Sequence, residues 1–269
     1  MLTPQHRRSW GSQVAIVTGA ASGIGAALAR LLERSGAIVM ATDIDPRVLT
    51  GFGPNVRTEI LDVTDAGAVD QLVRSVVAEH GRLDAIFNNA GIVVGGPFED
   101  TDDAAWRRIV DINLWGVVNG TRAAYPLMLA EGSGHIVNTA SSAGVLPVAY
   151  SAAYAATKHA VVGLSTSLRA EARGSGVNVS VAIPGVVDTR IFAAAHNVGG
   201  YDYQRSMARV PFAKVTADDA ATAILRGVAR NDALITFPRY NRALVGLSRL
   251  APESMSRIIN SRGSIRASR

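Results

Sequence analysis

Short apolar runs rich in β-branched residues alternate along this chain with longer segments in which apolar residues recur at helical spacing. The apolar runs predict seven strands, at residues 14–18, 37–42, 57–63, 83–89, 135–141, 177–183 and 233–237. Most of these runs are nearly continuous, which is typical of strands buried on both faces of a parallel sheet. The intervening segments predict helices at residues 23–36, 66–81, 102–129, 149–176 and 216–232.

The alternation of strand and helix indicates the fold class. Such a chain forms βαβ units with right-handed crossovers, which place helices on both faces of the sheet. We therefore predict an α/β protein with three layers, doubly wound around a seven-stranded and mainly parallel sheet. The sequence has no linker-like stretch, repeat or low-complexity segment, so residues 1–269 are predicted to form a single domain with its core at about 12–238.

The alternation is interrupted at residues 189–215, a long segment of mixed composition that contains glycine. A connection of that length in a compact domain is usually a functional lid or a binding loop. An ordinary excursion of two short helices is the alternative interpretation.

The composition limits the chemistry that the protein can perform. Of the 269 residues, 48% are hydrophobic and 18% are charged, which is enough apolar content for a sizeable core and excludes disorder across most of the chain. The sequence contains no cysteine and therefore no disulfide, thiolate nucleophile or cysteine-based zinc site. Its five histidines are scattered without metal-binding spacing, so no metal is expected.

The sequence predicts a cytoplasmic protein, and its charge distribution predicts a basic C-terminal tail. No secretory signal and no uncharged apolar run of membrane-spanning length are recognisable. The net charge of +5 comes mainly from residues 239–269, where seven arginines stand against one acid, Glu253. Since neither aromatic interleaving nor a nucleic-acid motif accompanies them, we expect a solvated tail that contacts neither nucleic acid nor membrane.

A glycine-rich stretch, TGAASGIG at residues 18–25, joins the first predicted strand to the first helix. Gly19, Gly23 and Gly25 permit a tight turn, let the backbone approach a pyrophosphate closely and leave the helix N-terminal N–H groups free to bind it. At the first strand–helix junction of a doubly wound sheet, this pattern predicts a dinucleotide site.

Asp43 lies at the carboxyl end of the second predicted strand, 24 residues after Gly19. An acid at that distance can accept hydrogen bonds from both hydroxyls of an adenosine ribose and repels a 2′-phosphate. No Arg or Lys stands beside Asp43 or within the glycine loop, so NAD is predicted and NADP is disfavoured. The alternative is that Asp43 only caps the following turn.

The stretch YAATK places Tyr154 and Lys158 four residues apart, on the same face of a helix. A cation near a phenol lowers its pKa, which makes a tyrosine usable as an acid or base near neutral pH. A surface lysine and a partly buried tyrosine that share a helix by chance are the alternative.

Several ordered motifs together resemble those of the short-chain dehydrogenase/reductase family over nearly all of residues 12–238, which implies a Rossmann fold. The motifs are TGAASGIG, LDV at 61–63, NNAG at 88–91, Asn113 in DINLWG, Ser141 in NTASSAG, YAATK, and PGVVDT at 184–189. The resemblance implies that the cofactor NAD is held by residues of these motifs and by Asp43. The implied residues are Gly19, Ser22, Gly23, Ile24, Gly25, Asp43, Asp62, Val63, Asn89, Ala90, Gly91, Tyr154, Lys158, Pro184, Gly185, Val187 and Thr189.

The resemblance also implies a role for each of four catalytic residues. Tyr154 is expected to exchange a proton with a substrate hydroxyl or carbonyl, and Lys158 to lower the pKa of Tyr154 and hold the nicotinamide ribose. Ser141 is expected to hydrogen-bond the reacting oxygen. Asn113 is expected to interrupt its helix and hold a water that links Lys158 to solvent. The implied activity is hydride transfer between a nicotinamide and a secondary alcohol or ketone.

Two neighbouring residues compete for the catalytic roles. Tyr150 precedes Tyr154 by four residues and Ser142 follows Ser141, but the family's usual interval of 13 residues selects Ser141 with Tyr154. Tyr150 is then predicted to share a helix face with Tyr154 and to line the substrate entrance. Thr157 stands where the family more often has serine, and it keeps a hydroxyl.

The predicted substrate is a largely apolar secondary alcohol or ketone, such as a terpenoid or a steroid-like ring. Ser141, Tyr150, Tyr154 and Phe192 are its predicted contacts. Residues 93–97 and 189–215 are expected to shape the pocket. The second segment supplies the apolar or aromatic side chains Ile191, Phe192, Tyr201, Tyr203, Met207 and Phe212.

Three other functions remain open from the sequence. The same site runs in both directions, so an NADPH-dependent carbonyl reductase is one, and a non-catalytic NAD-binding regulatory protein is another. A peripheral membrane enzyme for lipid-like alcohols is the third, suggested by four apolar residues beside the basic tail: Leu244, Val245, Leu247 and Leu250. The family resemblance further implies a homo-oligomer, a dimer or a tetramer, that assembles through the helix carrying YAATK.

Overall fold

The computed structural model describes residues 10–210, 212–250 and 253. Predictions about residues 1–9 and about most of the basic tail beyond Leu250 lie outside the described residues, and the single domain over 1–269 stays a prediction. The strands are β1 (Val14–Thr18), β2 (Ile38–Asp43), β3 (Val56–Ile60), β4 (Ala85–Asn88), β5 (Val94–Gly95), β6 (Gly134–Thr139), β7 (Val177–Pro184), β8 (His196–Asn197) and β9 (Leu234–Phe237). The helices are α1 (Gly23–Arg34), α2 (Ala66–His80), α3 (Asp103–Val110), α4 (Gly116–Glu131), α5 (Ala152–Glu171), α6 (Tyr203–Ala208), α7 (Ala217–Ala229) and α8 (Arg239–Leu250).

Seven strands form one sheet in the order β3-β2-β1-β4-β6-β7-β9, and every neighbouring pair is parallel. The predicted fold class, a doubly wound Rossmann fold, is confirmed, and the sheet is parallel throughout. The strand order reverses between β1 and β4. Ligands of such sheets bind in the crevice outside the carboxyl ends of the strands at this point.

Burial of both sheet faces explains the continuous apolar runs. In β1, Ala15 and Val17 pack into a cluster with α1 and α7, whereas Val14 and Ile16 pack into a cluster with α2 and α4. Both sets of side chains are buried, so alternation between apolar and polar residues is lost.

The predicted helix at 102–129 is two helices in the structure. One wider, π-helical turn at Asp111–Trp115 separates α3 from α4, and it contains Asn113. The buried side chain of Asn113 accepts a hydrogen bond from the backbone N–H of Ile92 (2.8 Å) and donates one to its carbonyl (2.9 Å). Such a turn frequently marks a functional site.

The described part of the segment 189–215, residues 189–210 and 212–215, contains one short helix and one short strand. Strand β8 pairs in parallel with β5 as a separate two-stranded sheet, and α6 follows it. The alternative of two short helices is not met in these residues, and the role as a lid or a binding loop stays a prediction.

Helix α8 covers the first part of the tail that was predicted to be basic and solvated. Val245 is buried against Val181 and Ile183 of β7, whereas Leu247 and Leu250 are exposed. Among the described residues, none of the helices is both long and apolar enough to cross a membrane. The described part of the chain also holds no group of His, Asp or Glu side chains arranged to bind a metal ion.

Candidate active site

A cleft of about 860 Å³ lies at the carboxyl ends of the central strands. Its walls come from the glycine loop, the ends of β2, β4, β6 and β7, helix α3 and the segment 189–215. The strand order reverses beside this cleft, as expected for a ligand site in such a sheet.

The glycine loop has the backbone geometry that its sequence predicts. Gly19 and Gly23 have φ values of +69° and +56°, which side chains other than glycine rarely adopt. A Cβ atom on Gly19 would lie 2.7 Å from the Cα of Ala90, so the loop and the turn after β4 touch backbone to backbone. The loop therefore leaves room for a pyrophosphate beside the α1 N-terminus, and these residues fit a bound dinucleotide.

The turn after β4 is tied to the glycine loop by Thr18. Its hydroxyl accepts hydrogen bonds from the backbone N–H groups of Asn89 (3.0 Å) and Ala90 (3.1 Å). The Asn89 amide in return donates to the Thr18 carbonyl (3.1 Å). These bonds place Asn89, Ala90 and Gly91 on the cleft wall beside the glycines.

Asp43 lines the cleft at the end of β2 with both carboxylate oxygens already engaged. They accept hydrogen bonds from the backbone N–H groups of Ala21 (2.9 Å) and Asp45 (3.0 Å). Each oxygen keeps a further lone pair, so the carboxylate can still accept from a ribose hydroxyl.

The prediction that no Arg or Lys stands beside Asp43 is wrong in the folded chain. Arg47, four residues later, lines the same end of the cleft. It forms an ion pair with Asp45, and this bond, helped by the charge of Asp43, raises the pKa of Arg47. The turn that begins after β2 brings Arg47 back towards the cleft, which sequence proximity alone did not indicate.

Asp62 and Val63, which follow β3, also line the cleft. The Asp62 carboxylate accepts from the backbone N–H (2.9 Å) and the hydroxyl (2.8 Å) of Thr64. The Val63 carbonyl accepts from the side-chain amide of Asn119 (2.9 Å), which fixes this turn on α4.

Ser141, Tyr154 and Lys158 meet at the inner end of the cleft. The Ser141 side chain lies beside Tyr154 and acts to lower its pKa. Lys158, one turn further along α5, donates from Nζ to the carbonyl of Thr139 (2.9 Å), and its Nζ lies 5.8 Å from the centroid of the Tyr154 ring. Tyr154 and Lys158 are only 8% and 3% exposed, so the helix face that carries YAATK looks into the protein.

Burial is the largest influence on the pKa values of Tyr154 and Lys158. It raises the pKa of Tyr154, an effect that Ser141 only partly offsets. Burial also lowers the pKa of Lys158 to about 8. The net effect on Tyr154 is a raised pKa, because loss of solvation disfavours the phenolate more than neighbouring groups stabilise it, and the expected lowering by Lys158 stays a prediction.

Replacing Lys158 with methionine should stabilise the protein while removing the charge from the site. Below pH 8 both the folded and the unfolded form carry the Lys158 proton. Burial of the charged ammonium then lowers the free energy of unfolding of the wild type. We expect a gain of up to about 2 kcal/mol at pH 7, after allowing for the lost bond to Thr139. Thermal unfolding at pH 7 checks this as a rise in Tm.

The stability gained by Lys158→Met should decrease as the pH rises. Between pH 8 and 10 the folded wild type releases the Lys158 proton before the unfolded chain does, so its stability rises and the advantage of Lys158→Met shrinks. Lys214→Met, at the one other lysine of the sequence, is the control because that side chain is exposed. An advantage that stays constant with pH would contradict a buried ammonium.

Asn113, Thr157 and Gly91 surround Lys158. The Asn113 amide donates to the hydroxyl of Thr157 (3.3 Å), which itself donates to the Tyr154 carbonyl (2.8 Å). A Cβ atom on Gly91 would lie 3.1 Å from the Asn113 side-chain oxygen and 3.4 Å from the Lys158 Nζ. The proposed water between Asn113 and Lys158 stays a prediction.

The turn after β7 closes the cleft opposite the turn after β4. Pro184, Gly185, Val187 and Thr189 all line the cleft, as the resemblance implies. The Thr189 methyl would lie 3.2 Å from a Cβ atom on Gly23, which places this turn directly over the glycine loop.

The cleft is not lined by three of the proposed site residues, Asn113, Gly25 and Tyr150. Gly25 packs beneath the loop, where a Cβ atom would lie 2.1 Å from the Gly19 carbonyl oxygen. Tyr150 does not share a helix face with Tyr154, because α5 begins at Ala152 and Tyr150 has a φ of +57°. Its ring instead stacks on Tyr201 with centroids 4.9 Å apart.

The end of the cleft next to Tyr154 is largely apolar. Phe192, Ile191, Tyr203 and Met207 of the segment 189–215 line it, whereas Phe212 stacks on Tyr240 and Tyr201 lies outside it. Sequence reasoning missed other lining residues whose positions have no motif, namely Ile92, Arg107, Arg108 and Val148. Arg107 and Arg108 follow Ala104 at helical spacing on α3, which is the one signal that could have indicated a shared exposed face.

Comparison with known proteins gives the family. The short chain dehydrogenase family model matches residues 13–197. The chain is 40% identical over 192 residues to cis-4-hydroxycyclohexanecarboxylate dehydrogenase of Sinomonas cyclohexanicum, covering 69% of this chain and 77% of that protein. It is 40% identical over 188 residues to 1-deoxy-11-beta-hydroxypentalenate dehydrogenase of Streptomyces exfoliatus, covering 66% and 68%.

A solved structure agrees with this assignment. A short chain dehydrogenase/reductase from Burkholderia phymatum, determined in complex with NAD, superimposes with a TM-score of 0.82 at 29% identity, covering 92% of this chain and 96% of that one. With a matching family model, related dehydrogenases and this fold, the chain belongs to the short-chain dehydrogenase/reductase family of oxidoreductases that act on CH–OH groups.

Proposed function

We propose that this protein is an NAD-dependent dehydrogenase that transfers a hydride between nicotinamide and an apolar secondary alcohol or its ketone, with Tyr154 as the acid/base. The observation that carries the proposal is the meeting of Tyr154, Ser141 and Lys158 at the inner end of the cleft. All three are competent residues, so the site supports turnover and not cofactor binding alone.

Each catalytic residue has a task that its surroundings support. The Tyr154 hydroxyl gives a proton to the carbonyl oxygen in reduction and takes one from the hydroxyl in oxidation. Ser141, beside Tyr154, hydrogen-bonds the same oxygen and stabilises its partial charge. The raised pKa keeps Tyr154 protonated at neutral pH, which suits proton donation to a ketone, and alcohol oxidation should speed up as pH rises.

The cofactor, when bound, supplies the hydride chemistry, and the lining residues supply a place for each of its parts. The glycine loop would hold the pyrophosphate, Asp43 the adenosine ribose, and Asp62 with Val63 the adenine. Lys158 and the turn at 184–189 would hold the nicotinamide half. The φ values of the loop and the open lone pairs of Asp43 support this placement.

An apolar ring alcohol is the substrate class that the cleft favours. Ile191, Phe192 and Met207 offer apolar surface next to Tyr154. One relative is named for a substrate with a hydroxyl on a cyclohexane ring, which supports a cyclic secondary alcohol here as well.

Calorimetry with NADH and NADPH tests the cofactor assignment. We expect NADH to bind at least tenfold more tightly, because the Asp43 carboxylate accepts from ribose hydroxyls and repels a phosphate. In Asp43→Ala this preference should shrink to near unity. If neither dinucleotide binds the wild type, the proposed function is wrong.

An NADPH-dependent carbonyl reductase is the second candidate, and Arg47 is the observation that favours it. The Arg47 guanidinium could bind a 2′-phosphate if its ion pair with Asp45 broke. In that case NADPH would bind the wild type more tightly and Arg47→Ala would abolish the preference. Under our proposal, Arg47→Ala leaves NADH binding within about twofold.

Assembly and location follow from the family expectation. We propose a homodimer or homotetramer that forms through α5, and the exposed Trp115, in the turn that packs against α5, supports a contact surface there. A cytoplasmic location, without membrane or nucleic-acid contact, stays a prediction from the sequence.

A further inference from the structure

A two-strand parallel pairing holds the segment 189–215 over the end of the cleft next to Tyr154. The backbone N–H of His196 donates to the Val93 carbonyl (2.9 Å), and that of Val198 donates to the Gly95 carbonyl (3.0 Å). The segment is therefore fixed to the wall of the cleft immediately before α6 begins.

Tyr203, the first residue of α6, is placed by this pairing. Its backbone N–H donates to the side-chain oxygen of Asn197 in β8 (3.1 Å). Its ring lies against Gly95, where a Cβ atom would be only 2.1 Å from the ring carbon Cδ2. The ring also stacks with Phe192, with centroids 6.1 Å apart. Tyr203 is thus 4% exposed and lines the cleft in one fixed orientation.

The Tyr203 hydroxyl lies in the neighbourhood of the catalytic tyrosine. It is within 3.2 Å of the Ser151 hydroxyl, three residues before Tyr154, and the two tyrosines belong to one buried cluster. The side chains that pack around both tyrosines are apolar and include Val93, Ala143 and Ile191. Tyr203 therefore adds a polar group to an apolar wall.

One hydrogen-bonding function of that hydroxyl is left over in either arrangement of its protons. The Ser151 hydroxyl lies 3.2 Å from Tyr203 and 3.4 Å from the Ala149 carbonyl, and its single proton serves one of them at a time. If Ser151 donates to Tyr203, the Tyr203 proton is available. If Ser151 donates to Ala149, Tyr203 donates to Ser151 and its oxygen is available as an acceptor.

We propose that Tyr203 binds a second oxygen on the substrate, so that the preferred substrate is an apolar ring alcohol with a further hydroxyl or keto group. A hydroxyl both donates and accepts and fits either proton arrangement, whereas a keto oxygen fits the arrangement in which Tyr203 donates. This inference rests on the proposed function and names the substrate class of the same site.

The test compares cyclohexanol with the regioisomeric cyclohexanediols, on wild type and Tyr203→Phe. Binding to the NADH-saturated protein and oxidation with NAD are both measured. The phenyl ring keeps the packing against Gly95 and removes only the hydroxyl. We expect at least one diol to bind better than cyclohexanol to the wild type, and Tyr203→Phe to weaken that diol about tenfold more than it weakens cyclohexanol, chiefly in KM.

Tyr201→Phe is the matched control. The Tyr201 hydroxyl donates to Ser206 (2.7 Å) and does not line the cleft, so its loss should alter both alcohols equally or not at all. NADH binding by each variant is measured first, and its absence from the wild type would count against the proposed function itself.

Three results would overturn the inference while leaving the proposed function intact. One is that no diol binds better than cyclohexanol to the wild type. Another is that Tyr203→Phe weakens diol and cyclohexanol equally, which would make the hydroxyl a purely structural partner of Ser151. The third is that Tyr203→Phe leaves diol binding unchanged.

Discussion

Tyr154→Phe should lower kcat by about a thousandfold while NADH binding stays within about twofold of the wild type. The variant keeps the buried ring and loses only the hydroxyl that exchanges the substrate proton. Lys158 keeps its bond to the Thr139 carbonyl, so the cofactor side of the site should be unchanged. Steady-state kinetics with a cyclic secondary alcohol and calorimetry with NADH measure the two effects.

Tyr150→Phe is the matched control for this prediction. Tyr150 precedes Tyr154 by four residues but stacks on Tyr201 outside the cleft, so its hydroxyl should be dispensable. The rate of alcohol oxidation should also rise with pH in the wild type and lose that rise in Tyr154→Phe. If Tyr154→Phe retained a tenth or more of the wild-type kcat, another group would have to be the acid/base.

Gly25→Ala should weaken NADH binding by at least a hundredfold, although Gly25 does not line the cleft. The new methyl group would lie 2.1 Å from the Gly19 carbonyl oxygen and 2.6 Å from the Asn89 amide nitrogen, both far inside contact distance. The glycine loop must then move away from α1, which removes the backbone geometry that fits a pyrophosphate. Overpacking of this kind should also cost about 1–3 kcal/mol of stability.

Gly246→Ala separates this steric effect from the general effect of a methyl group in a helix. Gly246 lies on the exposed face of α8 with no atom within 4 Å of the added carbon. The variant should bind NADH normally and gain about 0.5–1 kcal/mol of stability. Normal NADH binding by a folded Gly25→Ala would show that the glycine loop does not hold the cofactor.

Gly25→Ala should also affect residues beyond the glycine loop, because hydrogen bonds connect Asn89 to the residues around Lys158. Asn89 bonds the Thr18 carbonyl on the glycine-loop side, and its side-chain oxygen lies 3.5 Å from the Thr139 hydroxyl. Thr139 in turn accepts from Lys158 through its carbonyl. Displacing Asn89 should therefore disturb the position of Lys158 as well as the cofactor site.

Periodicity and motif spacing were enough to predict the layers of this protein and the positions of its motifs. The prediction for β1 matches residues 14–18 of the structure, because a run of buried β-branched residues allows few alternatives. The spacing of YAATK places Tyr154 and Lys158 on one face of α5 by helical geometry alone. The glycines at 19 and 23 likewise adopt positive φ values, as a tight turn after a strand requires.

The groups that stand next to these motifs are set by how the layers pack. Asn113 bonds Ile92, and Tyr203 packs on Gly95, although each pair is distant in sequence. Arg47 reaches the cleft only because the chain turns after β2. The raised pKa of Tyr154 has the same origin, since it depends on how much water the surrounding elements exclude. Local patterns carry information about periodicity and backbone conformation, whereas burial and long-range contact exist only once the layers have packed.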